Sequence, residues 1–69
     1  MNEHASLKHV STTVLEELRR ALASGILKTP IDRGALVGFG VRDQLDAIES
    51  ALGGHQTAAC VAVLDVAIA

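Results

Sequence analysis

Apolar residues in the first third of the chain recur three or four positions apart, which is the spacing of one helical face. The residues of this stripe are Val14, Leu15, Leu18, Ala21 and Leu22. They predict a helix from about Thr13 to Ser24. Thr13 and Glu16 have the spacing of a capping box, in which each side chain binds a free backbone N–H group. Gly25 is placed to end the helix in a left-handed conformation, with Ile26 folding back onto it.

Two shorter helices are predicted in the middle of the chain. Thr29 can cap the first of them, Pro30 suits its first position, and Asp32 favours its positive end. Residues 35–37 supply its apolar side, and the glycines on either side of Phe39 end it.

The next helix is predicted to begin near Asp43, which has a second carboxylate, Asp46, three residues later. The Gly53-Gly54 pair ends it, because glycine readily adopts the backbone conformation that follows a last helical turn. Its apolar face consists of Leu45, Ile48 and Leu52.

The last segment, Thr57 to Ala69, is apolar nearly all round, and Asp65 is its only charged residue. Its valines would also suit a strand, but its five alanines and its helical neighbours favour a helix. A helix without a polar face is normally buried on several sides or meets a partner. Because no capping residue follows, we expect the natural chain to continue beyond Ala69 or another molecule to seal this end.

These elements predict an all-α fold, a small orthogonal bundle of about four helices. Residues 1–10 are predicted to be an N-terminal arm and residues 11–69 a helical interaction domain. The apolar stripe extends back through Val10 and Leu7, so part of the arm can be helical. A chain of 69 residues supports one domain, with a core that contributes only about 3–5 kcal/mol. Phe39 is the only aromatic residue, so the core must be aliphatic.

Composition and charge exclude several classes of protein. The net charge of −2 argues against a general binder of polyanions, whose surface would be basic. The first ten residues lack the apolar stretch of a signal peptide. The nearly uncharged run from Leu52 to Ala69 is interrupted by polar residues and is too short for the ~20 apolar residues of a membrane span. We expect a cytoplasmic protein with no membrane partner.

The residues that could carry chemistry form no catalytic pattern. His4 and His9 lie five positions apart, which is not the i,i+4 spacing of helical metal ligands, and His55 is interpreted as a capping residue. Cys60 cannot form an intrachain disulfide, and its apolar neighbours favour a buried core thiol over a nucleophile. We therefore predict no enzymatic activity, no catalytic residue, no metal, no cofactor and no small-molecule ligand.

Residues 30–52 have the outline of a helix-turn-helix, whose second helix would enter the major groove of DNA. The second helix carries three acids, Asp43, Asp46 and Glu49, and no basic residue, so it would repel phosphates. These carboxylates are interpreted as a solvated face, with a recognition patch as the alternative. A small nucleic-acid-binding regulator is therefore kept as the second functional hypothesis.

Several short segments resemble the bacterial effector-associated domains, which are helical adaptors with death-domain-like character. The segments are Leu18-x-x-Ala21-Leu22, Leu36-Val37, Phe39-Gly40, Leu45-Asp46-Ala47-Ile48, and Val63-Leu64 with Ala67. The resemblance covers roughly residues 11–69. It implies a death-like fold and a non-enzymatic module that pairs with a like domain in a bacterial conflict or signalling system.

The expected function is therefore that of an adaptor domain, which binds a similar helical domain or a second copy of itself. Charged helical faces would set the choice of partner, and a favourable i,i+4 pair is expected between Glu16 and Arg20. The predicted partner-binding residues are Glu16, Arg19, Arg20, Arg33, Asp43 and Asp46.

Overall fold

The computed structural model describes residues 7–69, and four α-helices follow one another along this part of the chain. Between residues 7 and 69 the only β pairing is a parallel bridge of Ile31 with Gly53. The predicted all-α bundle of about four helices is therefore confirmed. The helices are α1 (Thr12–Ser24), α2 (Arg33–Phe39), α3 (Leu45–Leu52) and α4 (Thr57–Ile68).

The core is aliphatic and is centred on the packing of α1 against α4, with α3 packed on both α2 and α4. Phe39 is only half-buried at its edge, as expected for a core that cannot rely on aromatic rings. No polar or charged side chain among residues 7–69 is buried. The most deeply buried side chains are Leu7, Leu15, Leu18, Leu22, Leu36, Ile48, Leu52, Cys60 and Leu64.

The core extends further toward the N-terminus than the predicted boundary at residue 11. Leu7 and Val10 are both buried, and the Val10 N–H donates a hydrogen bond of 3.1 Å to the Leu7 carbonyl. This part of the predicted arm is therefore integral to the folded unit. Residues 1–6, including His4, lie outside the described part of the chain.

The two ends of α1 differ from the prediction. The helix begins at Thr12 with Ser11 as its N-cap, so Thr13 lies inside the first turn and the Thr13–Glu16 capping box was wrong. Gly25 ends the helix in the left-handed conformation, with φ of 82°, as predicted. Ile26 does not fold back, because it is 72% exposed. The next residue, Leu27, is buried instead, and its N–H donates to the Ala21 carbonyl at 3.1 Å.

The start of α2 lies three residues after the predicted position at Pro30. Ile31 is buried and is held by its bridge to Gly53, so the chain stays extended up to Asp32. Asp32 itself is the N-cap, and its Oδ1 atom accepts a 2.8 Å hydrogen bond from the N–H of Ala35. The assignment of Thr29 as the cap was wrong, because the buried side chain of Ile31 takes precedence over an earlier helix start.

The third helix begins at Leu45, two residues after Asp43, with Gln44 as its N-cap. Its end at Gly53 is confirmed, and the Gly53 N–H donates a 2.7 Å hydrogen bond to the Glu49 carbonyl. A Cβ atom at Gly53 would lie 2.5 Å from this carbonyl oxygen, so only glycine fits here.

The last segment is a helix and not a strand, as predicted. Cys60, Val63 and Leu64 form its buried side, which packs against α1 and α3. Only one side of this apolar helix therefore packs into the core. Within residues 7–69, no helix combines the length and the apolar character that crossing a bilayer requires.

The capping bond of Asp32 generates a prediction for stability. Replacing Asp32 with alanine leaves the N–H of Ala35 without its partner and should lower the free energy of unfolding by about 1 kcal/mol. Asp43→Ala is the matched control, because this exposed aspartate precedes α3 without capping it. Its effect should stay within about 0.5 kcal/mol. Urea unfolding measures both, and equal losses would contradict the capping role.

Candidate interaction surface

The solvent side of α4 is an apolar surface that we call the α4 outer face, formed by Ala58, Ala59, Ala62 and Val66. These residues fall on one side of the helix, and all four are exposed. Val66 is the most prominent, with 58% of its surface exposed. A surface helix of a globular protein normally presents polar residues to water. The α4 outer face is the opposite and is therefore a candidate contact surface.

Next to this face lies an open groove of about 700 Å³ between α1 and the C-terminal end of α4, which we call the α1/α4 groove. Asp65 lines the groove and directly precedes Val66 of the α4 outer face in the helix, so the two surfaces adjoin. The groove is lined by Glu16, Arg19, Arg20, Ala23, Ser24, Asp65, Ile68 and Ala69.

An ion pair joins the two walls of the α1/α4 groove. The guanidinium of Arg19 on α1 donates hydrogen bonds to both carboxylate oxygens of Asp65 on α4. The hydrogen bond and the charge of Asp65 raise the pKa of Arg19 above its ordinary value. Both side chains remain about half exposed, so the pair connects the helices at the surface and not within the core.

Two further charged residues of the groove, Glu16 and Arg20, have no ionic partner in the described part of the chain. The ion pairs between residues 7 and 69 are Arg19–Asp65 and Arg33–Asp46, so the predicted Glu16–Arg20 pair is not formed. The side chains of Glu16 and Arg20 are exposed on α1, and both line the α1/α4 groove. One acid and one base are thus available to a partner.

The remaining predicted partner-binding residues lie elsewhere. Arg33 and Asp46 form an ion pair between α2 and α3, and the backbone N–H of Arg33 donates to Glu49 at 3.2 Å. Asp43 lies on a separate groove of about 620 Å³ that also contains Phe39. The structure therefore brings three of the six predicted residues together, Glu16, Arg19 and Arg20, and separates them from Arg33, Asp43 and Asp46.

No residue of α4 was in the predicted set of partner-binding residues, although this apolar helix was expected to be buried on several sides or to meet a partner. Asp65 was predicted only as the single charge of this helix and not as part of a surface. Its partner Arg19 lies 46 positions earlier, so no local spacing could reveal the pair. The exposure of apolar residues such as Ala62 and Val66 could have been predicted, because a helix that is apolar all round cannot bury every side in a chain of this size.

Cys60 is a buried core residue, as predicted. Its side chain is fully buried, and its Sγ atom donates to the carbonyls of Leu52 at 3.4 Å and His55 at 3.8 Å. Burial raises the pKa of the Cys60 thiol, which keeps it protonated and poorly nucleophilic. Within residues 7–69, no three His, Cys, Asp or Glu side chains are grouped to hold a metal ion.

The raised pKa of Cys60 predicts a loss of stability at alkaline pH. The unfolded thiol ionises near pH 8.5, whereas the folded thiol keeps its proton to higher pH. The free energy of unfolding should therefore fall as the pH rises above about 8.5, by at most ~1.4 kcal/mol per pH unit from this group. Urea titrations across this range should show a shallower decline for Cys60→Ala. Equal slopes for the two proteins would contradict the prediction.

Comparison of the chain with protein families, with curated proteins and with solved structures finds no match.

Proposed function

We propose that this chain is a non-enzymatic protein–protein association domain, an adaptor that docks through the α4 outer face and the α1/α4 groove. The observation that carries the proposal is the exposure of Ala58, Ala59, Ala62 and Val66 on a helix whose other side is in the core. Removing such apolar surface from water is the main driving force of most protein association.

The size of a stable interface explains why the groove belongs to the docking surface. A specific interface buries about 800 Å² on each partner, which is about a fifth of the 4160 Å² exposed here. One face of a 12-residue helix, about 18 Å long, is too narrow to supply that area alone. The adjoining α1/α4 groove extends the contact onto α1.

Charges at the rim of the groove provide specificity. Complementary charges at an interface select the partner and raise the rate of encounter more than they raise affinity. Glu16 and Arg20 are exposed and are not engaged in an ion pair, whereas Arg19 and Asp65 neutralise one another. The apolar face thus contributes affinity, and the groove contributes the choice of partner.

The surface of α3 supports an adaptor over a nucleic-acid-binding regulator. Asp46 is exposed on this helix and already holds Arg33, its basic partner in the described part of the chain. A helix that offers carboxylates to the solvent opposes the phosphate contacts on which nucleic-acid affinity depends. The resemblance to bacterial effector-associated domains also favours an adaptor, acting in the cytoplasm in a conflict or signalling system.

Protection of the α4 outer face inside cells tests the proposal. In the Ala62→Cys variant, expressed at native level, a membrane-permeant maleimide should label the new thiol several times more slowly in cells than in dilute purified protein. The physical reason is that a bound partner covers this position. Cys60 does not interfere, because it is fully buried.

The matched control is Ser50→Cys, which places a thiol at an exposed position of α3 outside the proposed surface. Its labelling rate should be the same in cells and in dilute solution, after correction with a free thiol standard. If Ala62→Cys is labelled in cells as fast as in dilute solution, the α4 outer face is uncovered and the proposed function is wrong.

A further inference from the structure

Glu16 and Arg20 form a surface pattern that is complementary to itself. They have opposite charges, lie four positions apart on α1, and both line the α1/α4 groove without forming an ion pair. Four residues of an α-helix span about 6 Å along the axis, so the two charges are separated by roughly one helical turn.

A two-fold axis converts this pattern into two equivalent ion pairs. In a dimer with a two-fold axis, each contact between two different residues occurs twice, once with each copy supplying the first residue. Two antiparallel α1 helices that cross midway between positions 16 and 20 would place each Glu16 opposite the Arg20 of the other copy. Their intrachain geometry leaves both groups available for this pairing.

The charge balance of the groove also favours a second copy. Its charged residues are two acids, Glu16 and Asp65, and two bases, Arg19 and Arg20, which sum to zero. A strongly acidic or strongly basic partner would meet as much repulsion as attraction there. A second copy related by a two-fold axis presents the same charges in reverse order, so the attraction between Glu16 and Arg20 occurs twice.

The neighbouring α4 outer face is compatible with the same partner. It carries no charge, so it adds no electrostatic repulsion when a second copy approaches the groove.

We infer that the partner of this domain is a second copy of the chain, bound across a two-fold axis in which Glu16 of each copy pairs with Arg20 of the other. This inference rests on the proposed function, because it names the occupant of the same surface. It predicts that the purified chain forms a dimer in a concentration-dependent manner.

Charge reversal at the two positions tests the inference. In a dimer of the Glu16→Arg variant, the new arginine faces Arg20 of the other copy at both symmetry-related contacts. In a dimer of the Arg20→Glu variant, the new glutamate faces Glu16 of the other copy in the same way. Each variant should raise the dimer dissociation constant by about tenfold or more in sedimentation equilibrium. An equimolar mixture of the two variants should associate again, because the arginines of one chain then face the glutamates of the other.

Three comparisons make the result decisive. The double variant Glu16→Arg/Arg20→Glu should dimerise about as well as the wild-type chain, because both pairs are restored with reversed sign. Glu17→Arg is the matched control: it reverses an exposed charge on α1 that lines a different groove, and it should leave the dissociation constant unchanged. Circular dichroism of every variant should retain the wild-type helix content.

Two results would overturn the inference. One is a wild-type chain that remains monomeric at millimolar concentration. The other is a mixture of the two single variants that associates no better than either variant alone. If the purified chain is monomeric while Ala62→Cys is protected in cells, the second copy is excluded and association with a different partner stands. If position 62 is unprotected in cells, the proposed function fails as well.

Discussion

The burial of the leucine stripe of α1 against α4 is the interaction on which the rest of this structure depends. Leu15, Leu18 and Leu22 are almost completely buried, as are Cys60 and Leu64 on the opposing helix. A core of this size contributes only about 3–5 kcal/mol in total. Truncating one buried leucine to alanine typically costs about 2–5 kcal/mol. The loss of one leucine from the α1–α4 contact would therefore remove most of the stability of the fold.

The chemistry of the surface follows from that contact. Once α4 has buried Cys60, Val63 and Leu64, its opposite side must face solvent although its sequence is apolar. The same packing places the charged side of α1 beside the C-terminal end of α4, which creates the groove and brings Arg19 to Asp65. The exposed apolar face and the charged groove are two consequences of one helix pair.

The core of the described residues is aliphatic. No polar or charged side chain is buried among residues 7–69, so apolar packing and not a buried polar network holds the helices together. Cys60, the one nucleophilic side chain in the core of this described part, is kept as a neutral thiol by its own burial.

The sequence by itself determined that four helices form and that a glycine ends each of the first three. The 3.6-residue periodicity and the left-handed conformation at Gly25 depend on neighbours only a few positions away. Tertiary structure decided the rest, because long-range burial competes with local signals. Burial of Ile31 moved the start of α2 to Arg33, with Asp32 as the N-cap, and burial of Leu27 left Ile26 in solvent. Glu16, Arg19 and Arg20 are close together on one helix, so their common surface follows from helical spacing. Only the folded chain shows that Asp65, 46 positions after Arg19, lies beside them, since helix packing brings together positions far apart in sequence.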